Sequence, residues 1–253
     1  GCLFIMGKPS FFKLNKFFTF NISFIIYFLT FLILGYEKLL ELINISLKWH
    51  LPKEKPFIKN LNLKIKKGDI LCIFGKSGVG KSSLINVIAG INEDSLLFEG
   101  KIILNGNILN DIPTEKRKVG LLLQDGTLFP HLTVEQNIYF GMNKKLKFKE
   151  KLNLINQNLK KANMEGFQNR YPQTLSGGQK ARIACLRAIL SEPDVLLLDE
   201  PFSSLDPEYR NTFRNFVISK VKESNIPCLL VTHDESDKMI SNEQPIDLNI
   251  FKK

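Results

Sequence analysis

Gly75-Lys76-Ser77-Gly78-Val79-Gly80-Lys81-Ser82 fits G-x-x-x-x-G-K-[ST] at every fixed position. Residues of these types at this spacing can hold the phosphates of a nucleotide. The glycines let backbone N–H groups turn toward an anion without Cβ clashes. Lys81 is expected to reach the β- and γ-phosphates, and the hydroxyl of Ser82 to ligate Mg²⁺, with Ser83 following in the same turn. The chemistry requires a strand before the loop and a helix after it. Asp69 to Phe74 is a short apolar run suited to a buried strand. Ser82 to Ala89 reads as a helix stopped by Gly90. Strand, glycine turn and helix N-terminus together build an anion site from N–H groups and the helix dipole. This context argues against a chance glycine-rich turn carrying a surface lysine.

Further along, Val195-Leu196-Leu197-Leu198 runs into Asp199-Glu200, the pattern of a buried parallel strand that delivers carboxylates to its C-terminal edge. Asp199 is expected to hold Mg²⁺ through its water shell. Neighbouring strand residues point to opposite faces, so Glu200 can reach the same site only where the strand is ending, and Pro201 supplies that ending. A lone Asp-Glu pair would read as a solvated strand end; the apolar run and the upstream phosphate loop favour chemistry. Between the two motifs lies Leu175-Ser176-Gly177-Gly178-Gln179, followed by a convincing helix from Gln179 to Leu190. That helix would offer its N-terminus and the Ser176 hydroxyl to a second phosphate.

Phosphate loop, Leu-Ser-Gly-Gly-Gln and acidic strand end, in this order, resemble the nucleotide-binding subunit of ABC transporters, from about Leu39 to about Asp237. The resemblance implies an α/β fold: a P-loop NTPase core with a parallel sheet, an antiparallel β-subdomain and an inserted helical subdomain. It implies ATP and Mg²⁺ as cofactors, Glu200 as the general base that polarises the attacking water, and His233 as the switch histidine at the γ-phosphate. Gln124 matches the Q-loop glutamine that touches Mg²⁺ and the water. Asp206 matches the D-loop aspartate at the dimer interface, and before Pro207 it also suits a helix N-cap. Two anion sites in one domain need two nucleotides or two subunits. The family resolves this with a head-to-tail homodimer or pseudo-symmetric pair in which each signature closes on the partner's ATP.

The same resemblance implies transmembrane permease subunits, a solute-binding protein, and a place on the cytoplasmic face of the inner (plasma) membrane, peripheral through the permease. Leu128 to Asn137 is similar to the region after the Q-loop in bacterial importers for thiamine, molybdate, sulfate and iron, although Gln136 stands where those usually have glutamate. The chain ends without the regulatory β-domain of sugar and molybdate importer ATPases. The rival readings are a soluble, non-transport ABC-type ATPase, a permease-fused ABC fragment, and a catalytically silent interaction module. Long coiled-coil insertions or a second ATPase domain, usual in the first rival, do not occur in this sequence. Intact Lys81, Asp199, Glu200 and His233 oppose the last.

In the family an aromatic residue upstream of the phosphate loop stacks on adenine. Trp49, the only tryptophan, lies in the right region, with His50 or Phe57 as alternatives.

The elements that must position these residues can be read coarsely. At 253 residues and 44% hydrophobic content, one ordinary globular domain with two lobes is expected. Leu61, Leu63 and Ile65 alternate with polar residues, as in a half-buried antiparallel strand. Gly100 to Gly106 reads as a strand with turns at both ends. Thr133 to about Gln168 reads helical, with Leu152, Ile155 and Leu159 on one face. The expected division is a hydrophobic N-terminal extension over 1–36 and an ATP-binding domain over 37–253, with its helical subdomain at about 130–180.

The net charge of +10 invites a nucleic-acid reading. Most of it is lysine scattered among Asn, Ile and Phe, and the densest tract, Asn143 to Lys149, is broken by apolar residues and reads as a solvated helix face. No nucleic-acid partner is expected; nearness to anionic lipid could use some of the charge. Cys2, Cys72, Cys185 and Cys228 form no C-x-x-C pair and read as small buried hydrophobes in a reducing compartment.

Phe17 to Leu34 is an 18-residue apolar run preceded by Lys8, Lys13 and Lys16. Its length is marginal for a spanning helix, and the positive-inside rule would then put the ATPase on the side without ATP. The chain begins with glycine, so three readings stay open: an untypical or misassigned start, a fused permease tail, and a signal-like or interfacial segment.

Overall fold

A computed structural model of the chain describes residues 39–50, 55–91, 94–142 and 145–251. The expectations for the 1–36 extension and for Cys2 lie outside these residues.

Two sheets share one core. The first is antiparallel, in the order β2-β1-β4-β5: β1 (Leu39–Trp49), β2 (Ile58–Lys66), β4 (Leu96–Leu104) and β5 (Asn107–Ile108). The second is parallel, in the order β6-β7-β8-β3-β9: β3 (Ile70–Phe74), β6 (Val119–Leu122), β7 (Val195–Asp199), β8 (Cys228–Thr232) and β9 (Ile246–Asp247). Helices α1 (Lys81–Ala89), α2 (Val134–Gly141), α3 (Phe148–Lys161), α4 (Gly177–Leu190) and α5 (Pro207–Ser224) complete it.

The strands of the parallel sheet read as unbroken apolar runs because both faces are covered. Ile70, Cys72, Leu196, Leu198, Cys228 and Leu230 face the core shared with α2–α5. Their neighbours Leu71, Ile73, Leu197, Leu229 and Val231 face the core shared with α1 and the antiparallel sheet. β2 shows the expected alternation, with Leu61, Leu63 and Ile65 buried.

Three expectations are corrected. Gly100 does not end a strand: β4 runs through it, opposite a bulge in β1 at Asn44, whose φ is 54°. A Cβ on Gly100 would stand 2.6 Å from the Asn44 carbonyl oxygen, so the bulge demands glycine there. The stretch from Thr133 to Gln168 is two helices, α2 and α3, in which Ile155 and Leu159 are buried and Leu152 is half-buried. The basic tract is a helix face only in part. Of its described residues, Lys145 to Lys147 precede α3, with Lys147 the N-cap, and Phe148 and Lys149 are exposed in its first turn.

Gln136 also finds its reason. Thr133 and Gln136 form a capping box at α2, with the Thr133 N–H donating to Gln136 Oε1 at 2.9 Å, a task glutamine and glutamate perform equally.

Candidate active site

β3, β6, β7 and β8 are parallel, so their C-terminal ends lie along one edge, where α/β sheets bind ligands. The residues that follow them are Gly75, Leu123-Gln124, Glu200 and His233. Of these, Gln124, Glu200 and His233 border a cavity of about 460 Å³ that is also lined by Trp49, Phe57, Ser77, Gly78, Gly80, Lys81, Ser82 and Ser83; Gly75 and Leu123 do not border it. Of the other loop residues, Val79 is buried and Lys76 is exposed, and neither borders the cavity.

The loop depends on glycine at Gly80. Its φ is 105°, and a Cβ would lie 2.6 Å from the Phe57 ring, so the turn into α1 requires the missing side chain. Lys81 opens the helix and is 6% exposed; its ammonium donates to the Gly75 carbonyl at 2.9 Å and to Lys76 O at 3.3 Å. The cation is therefore drawn into the turn that surrounds the anion site.

Glu200 is 7% exposed and sits just past the end of β7 with φ 52°, a left-handed backbone rare for glutamate. This turn brings its carboxylate to the edge. Oε1 lies 2.7 Å from His233 Nδ1 and 3.9 Å from Lys81 Nζ, and Oε2 lies 3.4 Å from the Thr232 hydroxyl. Thr232 escaped the sequence reading because a threonine inside an apolar strand carries no local sign of function.

Asp199 ends β7 at 2% exposure, and its Oδ1 is buried with no hydrogen-bond partner among the described residues. Burial pushes its carboxyl up, while the Ser82 hydroxyl, a hydrogen-bonding neighbour, and Lys81 pull it down. An orphaned carboxylate oxygen beside a hydroxyl fits a divalent cation whose remaining ligands are phosphate and water oxygens. Among the described residues no group of three His, Cys, Asp or Glu side chains could hold a metal.

Trp49 stacks on Phe57, with centroids 5.4 Å apart and planes 28° from parallel, so both aromatics border the cavity. His50 is exposed and does not border it.

The Leu175–Gln179 segment does not border this cavity. Leu175 and Gly178 are buried, and Ser176 and Gly177 are exposed at the start of α4. Ser176 is the N-cap, and Gln179 closes the capping box by accepting from the Ser176 N–H at 2.9 Å, an S-x-x-Q signal visible in the sequence. Asp206 is the N-cap of α5 by position, with Pro207 next, but its side chain makes no capping hydrogen bond.

The model of the ABC transporter family matches residues 58–203. The chain belongs to this family. Among ABC transporter proteins, it is 41% identical over 194 residues to the uncharacterized ABC transporter ATP-binding protein YnjD of Escherichia coli, covering 77% of this chain and 88% of that one. It is 38% identical to the Fe(3+) ions import ATP-binding protein FbpC of Fusobacterium nucleatum, over 74% of this chain. It is 35% identical to the spermidine/putrescine import ATP-binding protein PotA of Oleidesulfovibrio alaskensis, over 76% of this chain. It spans about half the length of these two import proteins, 50% and 51%. In structure it is similar to the ATP-binding cassette MJ0796, solved as a dimer in a post-hydrolysis state bound to ADP and Pi. The TM-score is 0.70 at 28% identity, covering 80% of this chain and 91% of that one. The fold is thus that of an ABC ATPase, with the expected parallel core, antiparallel sheet and helical part.

Proposed function

We propose that the chain is the ATP-hydrolysing subunit of a bacterial importer, acting as a dimer on a separate permease at the cytoplasmic face of the plasma membrane. The observation that carries the ATPase reading is Glu200, buried between His233, Thr232 and Lys81 at the rim of the glycine-loop cavity.

In this reading the loop N–H groups and Lys81 bind the ATP phosphates, and Trp49 with Phe57 supports the adenine. Ser82, Asp199 and Gln124 hold Mg²⁺, which when bound neutralises charge on the β- and γ-phosphates. Glu200 draws a proton from the attacking water, and His233, hydrogen-bonded to it, keeps the carboxylate oriented toward the γ-phosphate. Ser176 and Gly177, exposed and away from their own chain's cavity, meet the partner's ATP, and Asp206 lies at that interface. The dimeric state of MJ0796 supports this arrangement.

We assign the ATP-binding domain to 37–253, with a helical subdomain at about 130–180 that docks the permease. An apolar groove of about 510 Å³, bordered by Leu128, Phe129, Phe140 and Arg187, supports the docking role. Among the described residues no helix is long and apolar enough to cross a membrane. The import direction rests on the names of the relatives from F. nucleatum and O. alaskensis, and a solute-binding partner on the family resemblance alone.

The test is Phe140→Asp, which places charge on a side chain that is 68% exposed at that groove. The variant should keep the basal Mg-ATPase of the full chain and lose co-purification with native membranes. Unchanged membrane association would count against this groove as the docking surface, and no membrane association of the unaltered chain would favour the non-transport reading.

A further inference from the structure

Behind Glu200 lies a chain of buried polar groups that nucleotide binding does not use. Thr232, the last residue of β8, is 0% exposed and lies outside the cavity lining. Its hydroxyl accepts from the Asp234 N–H at 3.0 Å and faces Asp237 Oδ2 at 2.9 Å and Glu200 Oε2 at 3.4 Å. Its one proton lies between the two acceptors as a three-centre hydrogen bond, shorter to Asp237 than to Glu200, so Asp237 orients the hydroxyl while Glu200 receives the weaker share. Asp237 is held in turn by Arg214 of α5, whose guanidinium donates from Nε at 2.8 Å and from a second, shorter contact. Arg214 also donates to the Ser236 hydroxyl at 2.6 Å.

A buried ion pair is weak evidence for stability, because packed apolar residues often serve as well. This one supports the backbone that carries His233 and the hydroxyl beneath Glu200. The two oxygens of Glu200 are held differently. Oε1 contacts His233, whose side chain is 54% exposed, and Lys81. Oε2 has Thr232 as its one hydrogen-bond partner among the described residues. The terminal torsion of glutamate is broad, so a carboxylate held by one oxygen can swing.

We propose that Thr232, locked by Asp237 and Arg214, is a positioning residue that fixes the plane of the Glu200 carboxylate for attack on the nucleotide. The proposal rests on Glu200 acting as the base.

Thr232→Val keeps the shape and removes the hydroxyl. In the full chain it should lower kcat about tenfold, the scale of one lost hydrogen bond, with ATP affinity within about twofold of wild type. Thr232→Ser should restore most of kcat. In single-turnover measurements, Glu200→Gln and Glu200→Gln/Thr232→Val should hydrolyse at the same residual rate, because the hydroxyl has no carboxylate left to orient. Arg214→Lys keeps the charge without the fork. It should also slow the wild-type background and not the Glu200→Gln background, which decides the matter should Thr232→Val not fold. A wild-type kcat in Thr232→Val, or an equal loss in both backgrounds, would overturn the positioning role alone. A wild-type rate for Glu200→Gln would instead overturn the base assignment.

Discussion

A Cβ placed on Gly178 would stand 2.7 Å from the carbonyl oxygen of Ser204. The first turn of α4 and the loop that leads to Asp206 therefore touch backbone to backbone, and only glycine fits between them. At the neighbouring Gly177 a Cβ would meet nothing nearer than the Ser204 Cβ at 3.9 Å, ordinary van der Waals contact. Two adjacent glycines thus serve different ends, one packing against its own chain and one leaving an open helix terminus.

A thermal melt separates them. Gly178→Ala should destabilise the fold by roughly 1–3 kcal/mol through overpacking, while Gly177→Ala should leave stability within about 0.5 kcal/mol. Equal melting temperatures for the two variants would contradict the packing account.

Lys81→Ala removes the buried ammonium that already grips the Gly75 carbonyl. A charge-assisted contact to phosphate is worth about 1.5–3 kcal/mol, so ATP affinity should fall roughly 10- to 150-fold in a fluorescence titration on folded protein. Unchanged affinity would return Lys81 to a structural role in the loop.

The phosphate loop was legible because its strand, turn and helix are consecutive and each follows from local chemistry. The apolar runs of β3, β7 and β8 were legible because two covered faces leave no room for alternation. The left-handed backbone of Glu200 was not, since nothing local makes a glutamate adopt φ 52°; the contacts of the sheet edge impose it. Nor was the pairing of Arg214 with Asp237, which joins residues 23 apart through the packing of α5 on the segment after β8. The run through Gly100 misled for the same reason, because the bulge that needs glycine lies in a different strand, at Asn44. Trp49 and Phe57 were each weighed as the base-stacking residue, and only the fold shows that they stack on one another.

Thiol chemistry offers an independent check on the core. Burial pushes Cys185 up to about 12 and Cys228 well above the ordinary thiol range. At Cys72, burial and then the Asp237 charge do the same, to about 12. At pH 8 only about one part in 10⁴ of Cys185 is thiolate, so iodoacetamide should leave all three residues unmodified until urea unfolds the chain. The sign for stability follows. The folded thiols hold their protons more tightly than the unfolded ones, so their contribution is complete below about pH 9 and is lost as pH rises toward about 12. Rapid native labelling of Cys185, read by peptide mass spectrometry, would contradict this packing.

The shared site predicts complementation. Gly177→Asp puts a carboxylate at the helix N-terminus that, in the proposed dimer, receives the partner's phosphate. It should abolish hydrolysis while leaving ATP binding to the isolated subunit nearly intact. Mixed with inactive Lys81→Ala subunits, it forms dimers with one doubly defective site and one intact site, and part of the ATPase activity should return. Loss of ATP binding by well-folded Gly177→Asp monomer would count against a site built from two chains.

In the proposed mechanism Glu200 activates the water that cleaves ATP. Its most direct test is the Mg-ATPase rate of Glu200→Gln in the full chain, measured beside ATP binding and dimer formation. General-base catalysis is worth on the order of 10²-fold or more, so hydrolysis should slow by at least that factor while ATP stays bound and holds two chains together. A wild-type hydrolysis rate in Glu200→Gln would contradict the account.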